Sequence, residues 1–222
     1  MLSNFLVKTF IKDSENIKDR KVRNSYGFLG GIVGIVVNLI LFAIKFTVGF
    51  LVSSIAVTAD AFNNLSDVAS SVITIAGFKM ANMPPDEKHP FGHGRMEYIS
   101  GLLVSVAILV MGFELIGSSI GKLRSPEPIE SSALVFGILI ASILVKLYMF
   151  FYNHSLSKKI ESAAMKATSV DSLSDTVATT LVLIATLISK YTGLLLDGWF
   201  GILVGLFILY TGGSTLKETI DL

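Results

Sequence analysis

Residues Phe28–Phe50 read FLGGIVGIVVNLILFAIKFTVGF, twenty-three residues with one charge, Lys45. A helix needs about 20 predominantly apolar residues to cross the hydrocarbon core of a bilayer. This stretch therefore reads as a membrane span. Five more runs of similar length follow, at Ile55–Lys79, Tyr98–Ile120, Ser132–Tyr152, Ser162–Ser189 and Leu194–Gly212. The fifth is long enough to tilt or to start within the headgroup layer. The whole chain of 222 residues is 52% hydrophobic and 16% charged, whereas a soluble domain carries about 25% charged residues. That deficit excludes a soluble globular enzyme. The expected fold is an all-α membrane protein with six transmembrane helices. A formal charge of +1 gives no basic excess to argue for nucleic acid, and zero cysteines exclude disulfides, thiolate metal sites and cysteine nucleophiles.

Val52-Ser53-Ser54 makes the first turn short, Asn82, Pro84 and Pro85 stop the second span, and Ser125-Pro126-Glu127-Pro128 separates the third from the fourth. Of the eighteen Lys and Arg, Lys45 and Lys146 fall within spans and are left uncounted. With the N-terminus inside, thirteen of the others lie on the inner side and only Lys122, Arg124 and Lys190 outside. The positive-inside rule then places both termini in the cytoplasm of a multi-pass cell-membrane protein. Residues 1–24 are too interrupted by Lys8 and Lys12 to be a signal peptide. Leu2, Phe5, Leu6, Phe10 and Ile11 gather on one helical face, which suits either an amphipathic helix on the inner membrane surface or a flexible tail. The expected division is this N-terminal segment, 1–24, and a six-helix transport domain, 25–222.

Ionisable residues inside a membrane span are costly, and each is a functional hypothesis by default. The second span carries Asp60, Asn63, Asn64 and Asp67, which at 100° per residue lie within about 100° of one another on the helix. The fifth carries Asp171 and Asp175, one turn apart. Carboxylates gathered on two apolar helices repel each other when ionised, so either a cation sits among them or most are protonated. The two stretches are also alike. Asn63-Asn64-Leu65-Ser66-Asp67 and Asp171-Ser172-Leu173-Ser174-Asp175 share a polar-x-Leu-Ser-Asp pattern at an offset of 108 residues. A three-plus-three repeat would set these helices in opposite directions, the inverted arrangement that builds midplane sites in transporters.

Asn63 and Asp67 are spaced i,i+4, as are Asp171 and Asp175, so two facing helices would gather four oxygen-bearing side chains around one point. Oxygen donors without sulfur or imidazole suit hard divalent cations such as Mn²⁺, Mg²⁺ or Ca²⁺, whereas histidine there would favour Zn²⁺. Asp60 shares the stripe but lies almost two turns from Asp67, which suits a role beside the site or on the path into it. Asn64 and the neighbouring serines read as hydrogen-bonding glue between helices. The loop after the second span holds Asp86, His89 and His93 among Gly92 and Gly94. These three could converge on one ion if the loop folds back; spacing alone favours solvated histidines in a loop that caps the third helix.

Together, Asn63-x-x-x-Asp67, His89-Pro-Phe-Gly-His93-Gly-Arg95 and Asp171-x-x-x-Asp175 resemble the cation diffusion facilitator family, over essentially the whole chain and in the same order. The resemblance implies a six-helix homodimer in the lipid bilayer that exports divalent metal from the cytoplasm in exchange for protons, with no other cofactor. It places the transport site at Asn63, Asp67, Asp171 and Asp175. The zinc-type branch has histidine where Asp171 stands, so this quartet resembles the manganese-type branch; Zn²⁺, Fe²⁺ and Co²⁺ stay open as cargo. Asp86, His89 and His93 match positions that hold a second zinc in some members. The family's usual cytoplasmic domain after the sixth span is absent from these 222 residues, so contacts within or beside the membrane would hold a dimer together.

The expected mechanism is alternating access around a midplane site, with Asp67, Asp171 and Asp175 carrying the exchanged protons. Two other classes compete. A passive cation channel would give flux without proton coupling. An intramembrane aspartyl protease also needs two aspartates on different helices, but its Gly-x-Gly-Asp pattern is absent around Asp67 and Asp171. The His-Glu-x-x-His zinc-protease pattern is absent too.

Overall fold

The computed structural model describes residues 7, 9–11, 13–51, 55–125, 132–192 and 196–221. The turn at Val52-Ser53-Ser54, the prolines Pro126 and Pro128, the start of the sixth span at Leu194, and Leu2, Phe5 and Leu6 of the N-terminal stripe lie outside them. Among the described residues six long helices follow one another: α1 (Arg20–Leu51), α2 (Ile55–Ala81), α3 (Met96–Arg124), α4 (Ala133–Ile160), α5 (Ala163–Thr192) and α6 (Asp197–Ile220). Five are long and apolar enough to cross a membrane. The other, α2, has the length but carries the polar stripe. The chain is an all-α membrane protein.

Three helices outrun the apolar runs that announce them. α1 starts eight residues before Phe28, α4 ends eight beyond Tyr152, and α6 ends eight beyond Gly212. All three extensions fall on the side expected to be cytoplasmic. Hydropathy reports where the hydrocarbon ends, while the backbone stays helical into the polar layer because nothing there breaks it. α2 stops where Asn82 and the prolines predict.

α1 packs along α2, α4 along α5, and α3 along α6, while α1 also meets α4 and α2 meets α5. The first four form a bundle, and the α3–α6 pair lies against α2 and α5. Polarity is inverted relative to a soluble protein. Ile32, Ile40, Ile44, Leu103, Val110 and Phe113 are exposed, while Asn38, Lys45, Asp67, Thr74, Lys146 and Asp171 are buried. Lipid, not water, suits such an exterior.

Glycine lets the helices close on each other within the chain. A Cβ on Gly34 would lie 2.5 Å from Ser71 Oγ of α2, and one on Gly201 of α6 would strike the Ser119 side chain of α3. The α4–α5 turn is two residues long. Glu161 takes the left-handed conformation (φ 48°), and Ser162 Oγ accepts from the Met165 amide at 3.2 Å to start α5. So short a turn forces α4 and α5 side by side and fixes their register.

Ile11, one of the residues on the expected membrane-facing stripe, is instead buried with Val7 against Tyr26, Phe78, Leu156 and Met165; Phe10 is exposed.

Gly101 tests the packing. A Cβ there would lie 3.0–3.2 Å from backbone atoms of Ala163 and Ala164, which cannot swing aside. Gly101→Val should cost about 1–3 kcal/mol, read as a lower thermal midpoint in detergent. Gly137→Val, whose Cβ meets nothing within 4 Å, should leave the midpoint unchanged.

Candidate metal centre

The α4–α5 hairpin register sets Lys146 about fifteen residues before the turn opposite Asp175, a similar distance after it. α2 then crosses α5 and brings Asp67 to the same depth. Just below, toward the Ala81 end of α2, Thr74 Oγ1 and Thr168 Oγ1 lie 3.2 Å apart and tie the crossing. Carboxylate oxygens of Asp67, Asp171 and Asp175 all lie within 4.8 Å of one another, and all three residues are buried. Asn63 completes the group by donating from Nδ2 to Asp175 Oδ1 at 3.0 Å. The four residues of the expected quartet are thus brought together, Asn63 through its amide nitrogen in this arrangement.

Of the two ways to relieve the carboxylates, a cation among them or protonation, the structure shows a cation, Lys146. Lys146 Nζ donates to Asp67 Oδ2 at 2.5 Å and to Asp175 Oδ2 at 2.6 Å, and its side chain is 3% exposed. A second buried lysine, Lys45, pairs with Asp60 at 2.7 Å nearer the far end of α2. Asp60 is 28% exposed and stays clear of the three-carboxylate cluster. The signal for both lysines was available: Lys45 and Lys146 are cations well inside predicted spans, where a charge needs a partner. Asn64 glues within its own helix, through Nδ2 to the Asp60 carbonyl at 2.8 Å.

Between the quartet and the 82–95 loop, the bundle is filled. Tyr26, Phe78, Tyr152, Leu156, Ala164 and Met165 form one buried cluster. Around it, Arg23 grips both carboxylate oxygens of Glu97 (2.6 and 2.9 Å) and the Ile160 carbonyl (2.9 Å), so α1, α3 and α4 are joined at one point. Arg20 reaches the Ala81 carbonyl at the end of α2. In the other direction, Asp60 and Asn63 are only partly buried. On that far side Val57, Val135 and Leu139 form a second, smaller buried cluster with Leu183 packed against it, so apolar packing lies on both sides of the quartet.

The 82–95 loop does fold back. His89 Nδ1 lies 3.1 Å and His93 Nε2 3.5 Å from the two oxygens of Asp86, and the rings stand 4.4 Å apart between centroids. Gly92, at φ 79°, makes the reversal that glycine alone adopts readily. The His89 amide, 2.6 Å from Asp86 Oδ1, holds that carboxyl below its ordinary value. His93 Nδ1 is buried without a partner.

The profile of the cation efflux transmembrane domain matches residues 31–222. The chain is 35% identical to an uncharacterised transporter of Methanocaldococcus jannaschii over 78% of its own length and 61% of that protein's. It is 31% identical to the manganese efflux system protein MneS of Bacillus subtilis, over 87% of this chain and 67% of the relative. With the zinc transporter ZitB of Escherichia coli it shares 27% identity over 78% and 55%. It spans about three fifths of the length of the curated relatives it matches. With a profile match over residues 31–222 that takes in the intramembrane carboxylates of α2 and α5, this chain belongs to the cation efflux transmembrane domain family.

Proposed function

We propose that residues 25–222 form the transport domain of a divalent-cation exporter in the cell membrane, with both termini cytoplasmic, and that its cargo is Mn²⁺ exchanged for protons. The observation that carries this reading is the group of three buried carboxylates and one partly buried amide near the middle of α2 and α5. Three carboxylates hold a dication with a net charge of −1 at the site and offer only hard oxygen ligands, a set suited to Mn²⁺ and lacking the imidazole that draws Zn²⁺. The name of the Bacillus subtilis relative points the same way. Family membership removes the protease reading.

Each residue has a part. Asp67, Asp171 and Asp175 bind the ion and take up protons once it leaves. Asn63 adds a carbonyl oxygen without charge and orients Asp175. Asp60, paired with Lys45, lines the less buried side of the path. The Arg23–Glu97 contact and the cluster beneath the quartet close the cytoplasmic end in the conformation described here, and they must part for cytoplasmic metal to reach the quartet. Exposed apolar faces on the helices leave room for a second copy, and we assign a homodimer held by membrane contacts.

Proteoliposomes with an internal pH dye test this. Mn²⁺ uptake should saturate and move protons the opposite way, and Asp175→Ala should abolish both. Metal flux without proton movement would instead identify a channel.

Asp171→His should shift the Zn²⁺ over Mn²⁺ preference on the order of tenfold, because imidazole is a softer ligand. An unchanged preference in competitive uptake would remove Asp171 from the ligand set.

The loop trio, two imidazoles and a carboxylate, is assigned as a separate Zn²⁺-type site. His93→Ala should lower Zn²⁺ binding by one equivalent in calorimetry while Mn²⁺ uptake continues.

A further inference from the structure

Transport by the quartet leaves one buried charge without a part. Lys146 Nζ lies 2.5 Å from Asp67 Oδ2 and 2.6 Å from Asp175 Oδ2. Oxygen-ligated divalent cations sit about 2.0–2.6 Å from their ligands, so the ammonium holds the place between these carboxylates that a dication would need. The second oxygens of Asp67 and the Oδ1 of Asp171 are buried without a hydrogen-bond partner. The set therefore offers more acceptors than one lysine uses.

We propose that the Lys146 ammonium and the transported dication alternate on the Asp67 and Asp175 carboxylates. Lys146 is then a tethered cation, displaced when metal binds and returning when it leaves. The proposal rests on the quartet being the metal site.

Three features support an exchange over a fixed pin. Lysine is a flexible four-carbon stem with a compact charge, able to move several ångströms without a change in the helix. Ser142, one turn away on the same face of α4, has a buried Oγ with no partner and can receive the displaced ammonium. Charge also balances. Three aspartates and a lysine sum to −2, and adding a dication while Lys146 stays nearby brings the interior to zero. A fully ligated carrier would then move through lipid with no net charge at its centre, where net charge is costly.

The consequence is opposite to that of a structural pin. Removing a competitor tightens metal binding, but it also leaves the carboxylates without a counter-cation between transport events and slows the return. In the purified full chain at mildly alkaline pH, Lys146→Met should bind Mn²⁺ about tenfold or more tightly than wild type, with a lower KM and a lower maximal rate of uptake. Lys146→Arg, which keeps the charge, should bind no more tightly than wild type. Because the chain has no cysteine, Lys146→Cys introduces a single thiol. Aminoethylation of it restores an ammonium and should return the affinity toward wild type in the same folded sample.

Asp171→Asn separates the two levels of the argument. If it abolishes Mn²⁺ binding while Lys146→Met binds equally or more weakly than wild type, the exchange is overturned and the quartet stands. If Asp171→Asn leaves binding intact, the quartet reading falls and the exchange falls with it. An aminoethylated Lys146→Cys protein that binds Mn²⁺ as tightly as the unmodified one also overturns the exchange.

Discussion

Asp67, Asp171 and Asp175 hold their carboxylates within 4.8 Å of one another inside an apolar bundle, and Lys146 bridges two of them. Like charges at that distance in a low-dielectric interior are tolerated only with a compensating cation or bound protons. Much of the architecture serves to keep this group together. The two-residue α4–α5 turn sets Lys146 against Asp175, the Thr74–Thr168 contact fixes the α2–α5 crossing, and glycines on α1 let it lie close to α2. Removing either sign of charge alone would strand the other where it cannot be solvated.

The same arithmetic links structure to transport. A site that needs a cation in order to exist can exchange one cation for another at little electrostatic cost. Under the proposed function, a dication, a lysine ammonium and protons are alternative solutions to one constraint. On the loop side, Arg23, Glu97 and the Tyr26–Phe78 cluster fill the bundle, and under the proposed function this is the packing that must part for metal to reach the quartet from that side. Its joint between α1, α3 and α4 is polar and sits at helix ends.

Much of this was legible in the residues because membranes simplify the problem. Length and apolarity announce each span, and a carboxylate within one stands out as a cost needing a reason. The i,i+4 spacings at 63/67 and 171/175 placed the polar faces; Gly92 and Gly94 permitted the loop reversal that gathers Asp86, His89 and His93, although spacing alone favours solvated histidines there. Two things were hidden for physical reasons. Helix ends beyond the hydrocarbon follow backbone propensity, which hydropathy does not report. Lys146 lies on a helix with no aspartate of its own, so its partnership with Asp67 and Asp175 depends on packing of three helices. Charge balance allowed either such a residue or protonation, and only the α4–α5 register identifies Lys146 rather than Lys45 as the partner.

Anomalous X-ray scattering at the manganese edge, from crystals of the full chain grown with Mn²⁺, tests the account most directly. The account predicts a manganese peak among Asp67, Asp171 and Asp175, within coordination distance of their oxygens, with Lys146 Nζ withdrawn from both carboxylates. A peak at the 82–95 loop alone, with the ammonium still bridging Asp67 and Asp175, would contradict it.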